Sequence, residues 1–183
     1  MVTNEERLRA QIERALEQER TLLALAALGD QPLGARLRVI LEQAARTLHV
    51  DRASFWSFRD APPAIHCDQL YRAATADFEG GIVLQAIDYP GYFEALATGK
   101  PIIARDAHRD SRTREFSAGY LTPLGIGAML DVPDYVRGNL AGVICNEHVG
   151  GERDWTADEQ LFAMAVGQLV TLAIEAQHRA SVE

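Results

Sequence analysis

Residues 127–149, GAMLDVPDYVRGNLAGVICNEHV, predict two neighbouring strands and decide the class of fold. Residues 127–133 and 140–149 are rich in β-branched and other apolar side chains, which favour strands. The polar segment between them, residues 134–139, contains Gly138 and is typical of a turn. Because so short a connection joins antiparallel strands, we expect a hairpin with a longer loop, in a mainly antiparallel sheet.

The segment after this hairpin predicts a long helix over residues 156–177. Thr156 and Glu159 form a capping-box pattern, in which each side chain accepts the other residue's amide hydrogen. Two apolar stripes follow at helical spacing, Leu161, Ala165, Leu169 and Leu172 on one side and Phe162, Val166, Val170 and Ile174 on the other. A helix that is apolar on two sides needs two partners, the sheet and either another helix or a second subunit.

Residues 4–28 predict a further helix, because they are rich in good helix formers and contain no Gly or Pro. Steps of four and three residues give a heptad seam that only Glu19 interrupts: Leu8, Ile12, Ala15, Glu19, Leu22 and Ala26. One interpretation is a coiled coil that dimerises, and the alternative is a helix packed only on its own domain. Gly29 and Pro32 end this helix, and the apolar stripe of residues 33–48 predicts another.

The middle of the chain predicts short strands and short helices. We expect strands at residues 53–58, 68–75 and 101–105, helices at residues 89–98 and 114–122, and an irregular segment at residues 77–88. A turn at Pro62-Pro63 would join the first two strands as a hairpin. This order predicts an α+β domain with the terminal helices on one face of the sheet and the short elements on the other.

Composition bounds the class of protein. With 183 residues, 48% of them hydrophobic, the chain can bury the core of one domain. Its net charge of −8 disfavours nucleic acid and anionic membrane surfaces as partners. The charged start is unlike a signal peptide, and no apolar run approaches the ~20 residues of a membrane span. Cys67 and Cys145 form no CxxC pattern, so we expect a reducing, cytoplasmic setting with no disulfide or zinc site.

Four stretches of the chain resemble the GAF domain family, whose members are small sensory modules of signalling proteins. They are residues 50–54 (VDRAS), 97–102 (ATGKPI), 128–133 (AMLDVP) with GVI at 142–144, and 155–159 (WTADE). The resemblance extends over about residues 33–176 and implies a profilin- and PAS-related fold with a six-stranded antiparallel sheet. It also implies an input module for a histidine kinase, diguanylate cyclase or transcription regulator, acting in cis or in trans.

The same resemblance divides the chain and places a ligand pocket. Residues 1–29 would be a signalling helix, residues 30–178 the GAF domain and residues 179–183 a tail. The pocket would lie between the sheet and the elements from the second strand to the hairpin, with these candidate lining residues: Tyr71, Tyr89, Tyr92, Phe93, His108, Tyr120 and Met129. Aromatic walls with few polar groups suit a small organic ligand, and the alternative is that these rings only fill the core.

No particular cofactor is indicated. His108 lies in a carboxylate-rich loop, residues 106–110, which either positions a cation or polar ligand or is a solvated loop with capping Asp side chains. The helix expected at residues 114–122 has no cysteine to attach a bilin. Glu147 stands where cyclic-nucleotide GAF domains carry a lysine, which disfavours that ligand.

We expect a non-catalytic sensor that relays ligand binding through a homodimer of its terminal helices. The dimerising residues would be Leu8, Ile12, Leu22, Leu161, Leu169 and Leu172. Two alternatives remain open from the sequence. One is a GAF-fold enzyme of the free methionine sulfoxide reductase type that uses Cys67 or Cys145, and the other is a ligand-free structural dimerisation module.

Overall fold

The computed structural model describes residues 3–180. The elements follow the order α1 (Asn4–Ala26), α2 (Leu33–Leu48), β1 (Arg52–Asp60), β2 (Pro63–Arg72), β3 (Asp77–Glu79), β4 (Val83–Gln85), α3 (Pro90–Ala97), β5 (Ile102–Ala104), α4 (Thr122–Leu124), β6 (Ile126–Val136), β7 (Asn139–Val149) and α5 (Ala157–Ala180). The tail expected at residues 179–183 begins inside α5 and otherwise lies outside the described residues.

One antiparallel sheet of seven strands organises the domain, with the order β3-β2-β1-β7-β6-β5 and β4 also paired to β2. The expected hairpin of β1 and β2 is present, but β2 starts earlier than predicted, because Ala64, Ile65 and Cys67 are buried. Six strands were expected. The sequence pattern itself located five strands, and residues 77–88 add β3 and β4 on β2 instead of an irregular segment, which makes seven.

The hairpin of β6 and β7 is tighter than the sequence suggested. Val136 pairs with Asn139, so only Arg137 and Gly138 form the turn. Both have positive φ, 51° and 81°, which is the backbone of a two-residue hairpin turn that matches the twist of its strands. The prediction of a longer loop was wrong because Asp134, which reads as a loop residue, is buried in β6.

Residues 114–124 are helical, as expected at residues 114–122, but they change hydrogen-bond pattern twice. A 3-10 turn, Arg114–Phe116, leads into a π-helical turn, Ser117–Leu121, before the single turn of α4. π-Helical turns are rare and occur frequently at functional sites. This segment and α3 cover one face of the sheet, around buried side chains that include Trp56, Leu96 and Leu121.

The terminal helices cover the other face. The capping box of α5 is confirmed, with the Glu159 amide 3.2 Å from the Thr156 hydroxyl and the Thr156 amide 2.8 Å from the Glu159 carboxylate. The stripe that contains Phe162 and Val166 is buried against the sheet and α2. No helix within residues 3–180 has the length and apolarity needed to cross a membrane.

Only part of the predicted dimerising set lies on the surface. Leu8 and Ile12 of α1 are 56% and 51% exposed, and Leu161 and Leu172 of α5 are 63% and 54% exposed. In contrast, Leu22 and Leu169 are half-buried against the core of their own domain. The end of α1 therefore packs on α2 and α5, while its first turns are exposed.

A close approach in β7 predicts a strongly destabilising substitution. A Cβ atom at Gly142 would overlap the Trp56 carbonyl oxygen and lie 2.9 Å from the Phe55 ring. We expect Gly142→Ala to lower the free energy of unfolding by more than about 2 kcal/mol, because β1 and β7 would have to separate. In Gly119→Ala the new methyl group meets no atom within 4 Å, so a change within about 0.5 kcal/mol is expected. Urea denaturation measures both, and equal midpoints would contradict this close approach of β1 and β7.

Candidate functional site

The sheet face under α3 and residues 114–121 carries a buried group of polar and aromatic side chains. β1, β6 and β7 supply its floor, and α3 with the 3-10 and π-helical turns supplies its cover. Successive residues of a strand point to opposite faces, so alternate positions of β7 place Val143, Cys145 and Glu147 on this side. Arg52 and Trp56 of β1 face the same side.

An ion pair crosses from β1 to β7 inside this site. The Arg52 Nε atom donates to Glu147 Oε2 at 2.7 Å, and the Tyr120 hydroxyl donates to Glu147 Oε1 at 2.9 Å. Burial raises the pKa of Glu147, and the Arg52 guanidinium and Tyr120 hydroxyl counter only part of that effect. Burial would lower the pKa of Arg52, but Glu147 and Tyr120 together outweigh it and the pKa is raised, so Arg52 stays charged.

A second pair lies beside the first and lacks a cation. The Tyr92 hydroxyl donates to Asp131 Oδ2 at 2.7 Å and lies 3.6 Å from the Cys145 sulfur. Asp131 is fully buried, and its Oδ1 atom has no hydrogen-bond partner of good geometry among residues 3–180. Burial raises the pKa of Asp131 to about 8, since Tyr92, the Cys145 thiol and the backbone amide of Asn146 offset only part of the desolvation and Glu147 adds like charge. Asp131 is therefore mostly protonated at neutral pH.

Aromatic rings fill most of the space between these groups. The Tyr92 and Phe116 centroids are 4.8 Å apart, those of Phe116 and Tyr120 are 6.0 Å apart, and those of Trp56 and Tyr120 are 6.4 Å apart. The remaining cavity is lined by Trp56, Ile65, Leu84, Tyr92, Phe116, Tyr120, Met129, Cys145 and Glu147. The volume open to the centre of a water molecule is about 10 Å³, so the cavity has room for about one water.

The structure separates the predicted lining residues into three groups. Tyr92, Tyr120 and Met129 line the cavity, whereas Tyr89 and Phe93 pack around it, with the Tyr89 ring 4.4 Å from Phe116.

Two other predicted positions do not contribute to the cavity lining. Tyr71 packs on the helix side of the sheet, 5.1 Å from the Phe78 ring, because its position in β2 faces the opposite way. His108 lies outside the cavity, with its Nδ1 atom 2.6 Å from the Ser117 hydroxyl. The placement of Tyr71 on the ligand side was therefore wrong.

The sequence pattern alone did not reveal the charged half of the site. Asp131 interrupts the apolar run AMLDVP, and Glu147 follows Cys145 at a strand spacing of two. That alternation could have placed Cys145 and Glu147 on one face. Arg52 lies in the family-like stretch of residues 50–54, and its pairing with Glu147 depends on the register of β1 and β7.

The two thiols do not form a redox pair. Cys67 in β2 and Cys145 in β7 lie on either side of β1, so their Cα atoms are separated by at least two strand spacings, about 10 Å. A disulfide requires Cα atoms about 4.4–6.8 Å apart. Burial raises the pKa of Cys67 to about 12 and that of Cys145 well above its ordinary value, so both remain thiols. Within residues 3–180, no three His, Cys, Asp or Glu side chains gather as metal ligands would.

The antiparallel sheet with helices on both faces defines the class of α+β domain, and sequence comparison identifies its family. The family model for the GAF domain matches residues 32–174, so the chain belongs to the GAF family. No curated protein sequence matches the chain significantly.

Solved GAF structures share the fold at low sequence identity. The GAF domain of an Acinetobacter phosphoenolpyruvate-protein phosphotransferase is 15% identical, with a TM-score of 0.71 over 93% of this chain and 95% of that one. A phycocyanobilin-bound GAF domain from a cyanobacterial phytochrome is 17% identical, with a TM-score of 0.74 over 89% and 96%. Free methionine-R-sulfoxide reductase from Neisseria meningitidis is 14% identical, with a TM-score of 0.67 over 91% and 93%. At such identities the likeness establishes the fold alone.

The buried Asp131 carboxyl predicts a pH dependence of stability. Its folded pKa of about 8 lies above its ordinary value of 3.8, so the folded state holds a proton that the unfolded state has lost between these values. The free energy of unfolding contributed by this bound proton is fully present at low pH. It is lost as pH rises through about 8, by up to about 1.4 kcal/mol per pH unit. Asp131→Asn cannot lose it, so the variant should gain stability relative to the wild type as pH rises.

Urea denaturation at several pH values between about 5 and 8 measures this difference. The exposed Asp88 provides a matched control, and Asp88→Asn should follow the wild-type curve. Parallel curves for the wild type and Asp131→Asn would show that Asp131 is not protonated in the folded protein.

Proposed function

We propose that the chain is a non-catalytic sensory module that binds a small ligand at the buried site and relays its presence through α1 and α5. The observation that carries the proposal is the Asp131 carboxyl, which is buried behind the cavity-lining Tyr92 and has one oxygen without a hydrogen-bond partner of good geometry among the described residues. A protein that needed this region only as a core would gain by making it apolar, because an unpaired buried polar atom costs about 1–3 kcal/mol.

A single strand contacts both the site and the output helix. Asp131 of β6 faces the site, whereas Val132 and Asp134 of the same strand face α5. The Thr171 hydroxyl of α5 donates to Asp134 Oδ1 at 3.1 Å, and Gly167 lets α5 lie close to Val132. A ligand that moves β6 would therefore shift α5, provided that it binds the two arrangements unequally.

The outer surface of the terminal helices suits a second copy of the chain. The large apolar side chains exposed there are Leu8, Ile12, Leu16 and Leu23 of α1 and Leu161, Met164 and Leu172 of α5. Such residues on two helices that already pack together would form a self-complementary interface in a symmetric dimer. The effector that reads the helices would be a histidine kinase or cyclic-dinucleotide signalling domain, in cis or in trans.

Two known GAF activities receive less support. The bilin of the phytochrome neighbour would require a cavity far larger than the present one, and residues 114–122 contain no cysteine to attach it. The reductase neighbour shares the fold, but here the two thiols are buried and lie on opposite sides of β1.

The small cavity favours one second candidate, a structural dimerisation module that binds no ligand. Its volume of about 10 Å³ shows that the rings would have to separate before any organic molecule could enter. The two functions differ in whether any small molecule stabilises the fold.

The dimer predicts a change in sedimentation on charge substitution. Wild-type chain at tens of micromolar should sediment as a dimer, and the double substitution Leu161→Glu with Leu172→Glu should sediment as a monomer, because buried carboxylates would face each other across the interface. Ile87 is 87% exposed between β4 and α3, so Ile87→Glu is the matched control and should leave the dimer intact. A monomeric wild-type chain would exclude relay through a dimer.

If the site binds a ligand, binding should raise the thermal stability of the domain and change the fluorescence of a tryptophan inside the site. In a thermal-shift screen of amines, carboxylates, nucleosides and sugars, at least one compound should raise Tm by several degrees, as about 1–2 kcal/mol of binding energy would. The same compound should change the emission of Trp56 in Trp155→Phe, where Trp56 is the remaining tryptophan. Hydrogen exchange in α5 should change as well.

The failure of this screen has a defined meaning. If no compound raises Tm or alters Trp56 emission, the ligand-free dimerisation module is favoured. If a compound binds but leaves exchange in α5 unchanged, the site is a binding site without the proposed relay.

A further inference from the structure

The lining of the buried cavity combines several aromatic rings with one carboxyl group, Glu147, and the Asp131 carboxyl lies behind the lining residue Tyr92. Trp56, Tyr92, Phe116 and Tyr120 form a continuous chain of rings, with neighbouring centroids 4.8–6.4 Å apart. The faces of aromatic rings attract cations, and sets of such rings recognise alkylated ammonium groups.

The charges around the cavity also favour a cation. Two carboxyl groups, Asp131 and Glu147, face this side of the sheet, and Arg52 is the cation paired with Glu147 at 2.7 Å. Glu79 lies a further 3.9 Å from Arg52 and adds negative charge at the edge. Arg112 acts on Asp131 electrostatically, but it is hydrogen-bonded to Asp110 at 2.6 Å and to the Ile103 carbonyl at 2.9 Å.

An anionic ligand has no partner in this arrangement. The guanidinium of Arg52 is committed to Glu147 and Tyr120, and a second anion beside Asp131 would meet the like charge of Glu147. A cation instead would supply the partner that Asp131 Oδ1 lacks among the described residues. It would also convert the protonated acid into a carboxylate paired with the ligand.

We infer, granting the proposed sensory function, that the site takes a small organic cation, an alkylammonium or methylated ammonium group. The rings of Trp56, Phe116 and Tyr120 would surround its charge, and the Asp131 carboxyl would pair with it. The present cavity has room for about one water, so the rest of the ligand enters as the cover opens. Leu84 of the lining lies in β4, a strand of only three residues that pairs with β2. Few backbone hydrogen bonds therefore hold this part of the lining in place.

Isothermal titration calorimetry with choline chloride and its neutral isostere 3,3-dimethylbutan-1-ol tests the inference on the whole chain. We expect choline to bind at least about tenfold more tightly than the alcohol, because cation–π attraction and pairing with a carboxyl are lost in the neutral compound. Sodium acetate and sodium phosphate should not bind. Trp56 emission in Trp155→Phe should respond to choline.

Two variants and one matched control locate the binding. Asp131→Asn should weaken choline binding about tenfold, and Phe116→Leu should weaken it several-fold through loss of a ring face. Asp88→Asn removes an exposed carboxyl outside the site and should leave choline binding unchanged. Phe116→Leu keeps the charges intact, so it tests the site even if Asp131→Asn unfolds.

Each outcome separates this inference from the proposed function. Equal binding of choline and the alcohol, binding of acetate or phosphate, or full binding by Asp131→Asn would overturn the cation site. If a sugar, nucleoside or carboxylate from the thermal-shift screen binds and alters α5, the sensory function stands and only the cation site is wrong. If no compound binds, both fail.

Discussion

The buried ion pair between Arg52 and Glu147 is the interaction on which the rest of the site depends. These residues are register partners on β1 and β7, so the pair holds the two central strands together while it occupies the space beneath the cover. Glu147 also accepts from Tyr120, which anchors the π-helical turn over the cavity. Removing one partner would leave a buried charge that costs about 3–5 kcal/mol, so both the sheet and the cover rely on this contact.

The ion pair also explains why the cavity is closed. Tyr120 can reach Glu147 only when its ring lies across the space between Trp56 and Phe116. A ligand that replaces the ring must therefore compete with a hydrogen bond to a charged group, worth about 1.5–3 kcal/mol. That competition links occupancy of the site to the position of residues 117–121, and it raises the selectivity for ligands that offer the carboxyl groups another partner.

Much of the fold was predictable from the sequence, because its signals are local. The capping box at Thr156, the stripe of α5 and the apolar run of β6 each depend on neighbouring residues. The errors arose where tertiary contacts override local pattern. Asp134 looked like a loop residue but is buried under α5, and the side of the sheet that Tyr71 faces depends on the register of β2. The site was harder still, since Arg52 and Glu147 are far apart in the chain and only strand pairing joins them.

The strand β6 carries a buried polar group on each of its two faces. It carries two buried carboxyls, Asp131 on the site side and Asp134 on the helix side, each with one oxygen that no described residue satisfies. Burial raises the pKa of Asp134 to about 7, as it raises that of Asp131. Because the two side chains project from opposite faces of one strand, a charge gained at Asp131 and a shift of β6 would alter the contact of Asp134 with Thr171. Two incompletely satisfied carboxyls of the core therefore project from opposite faces of one strand, one toward the site and one toward α5.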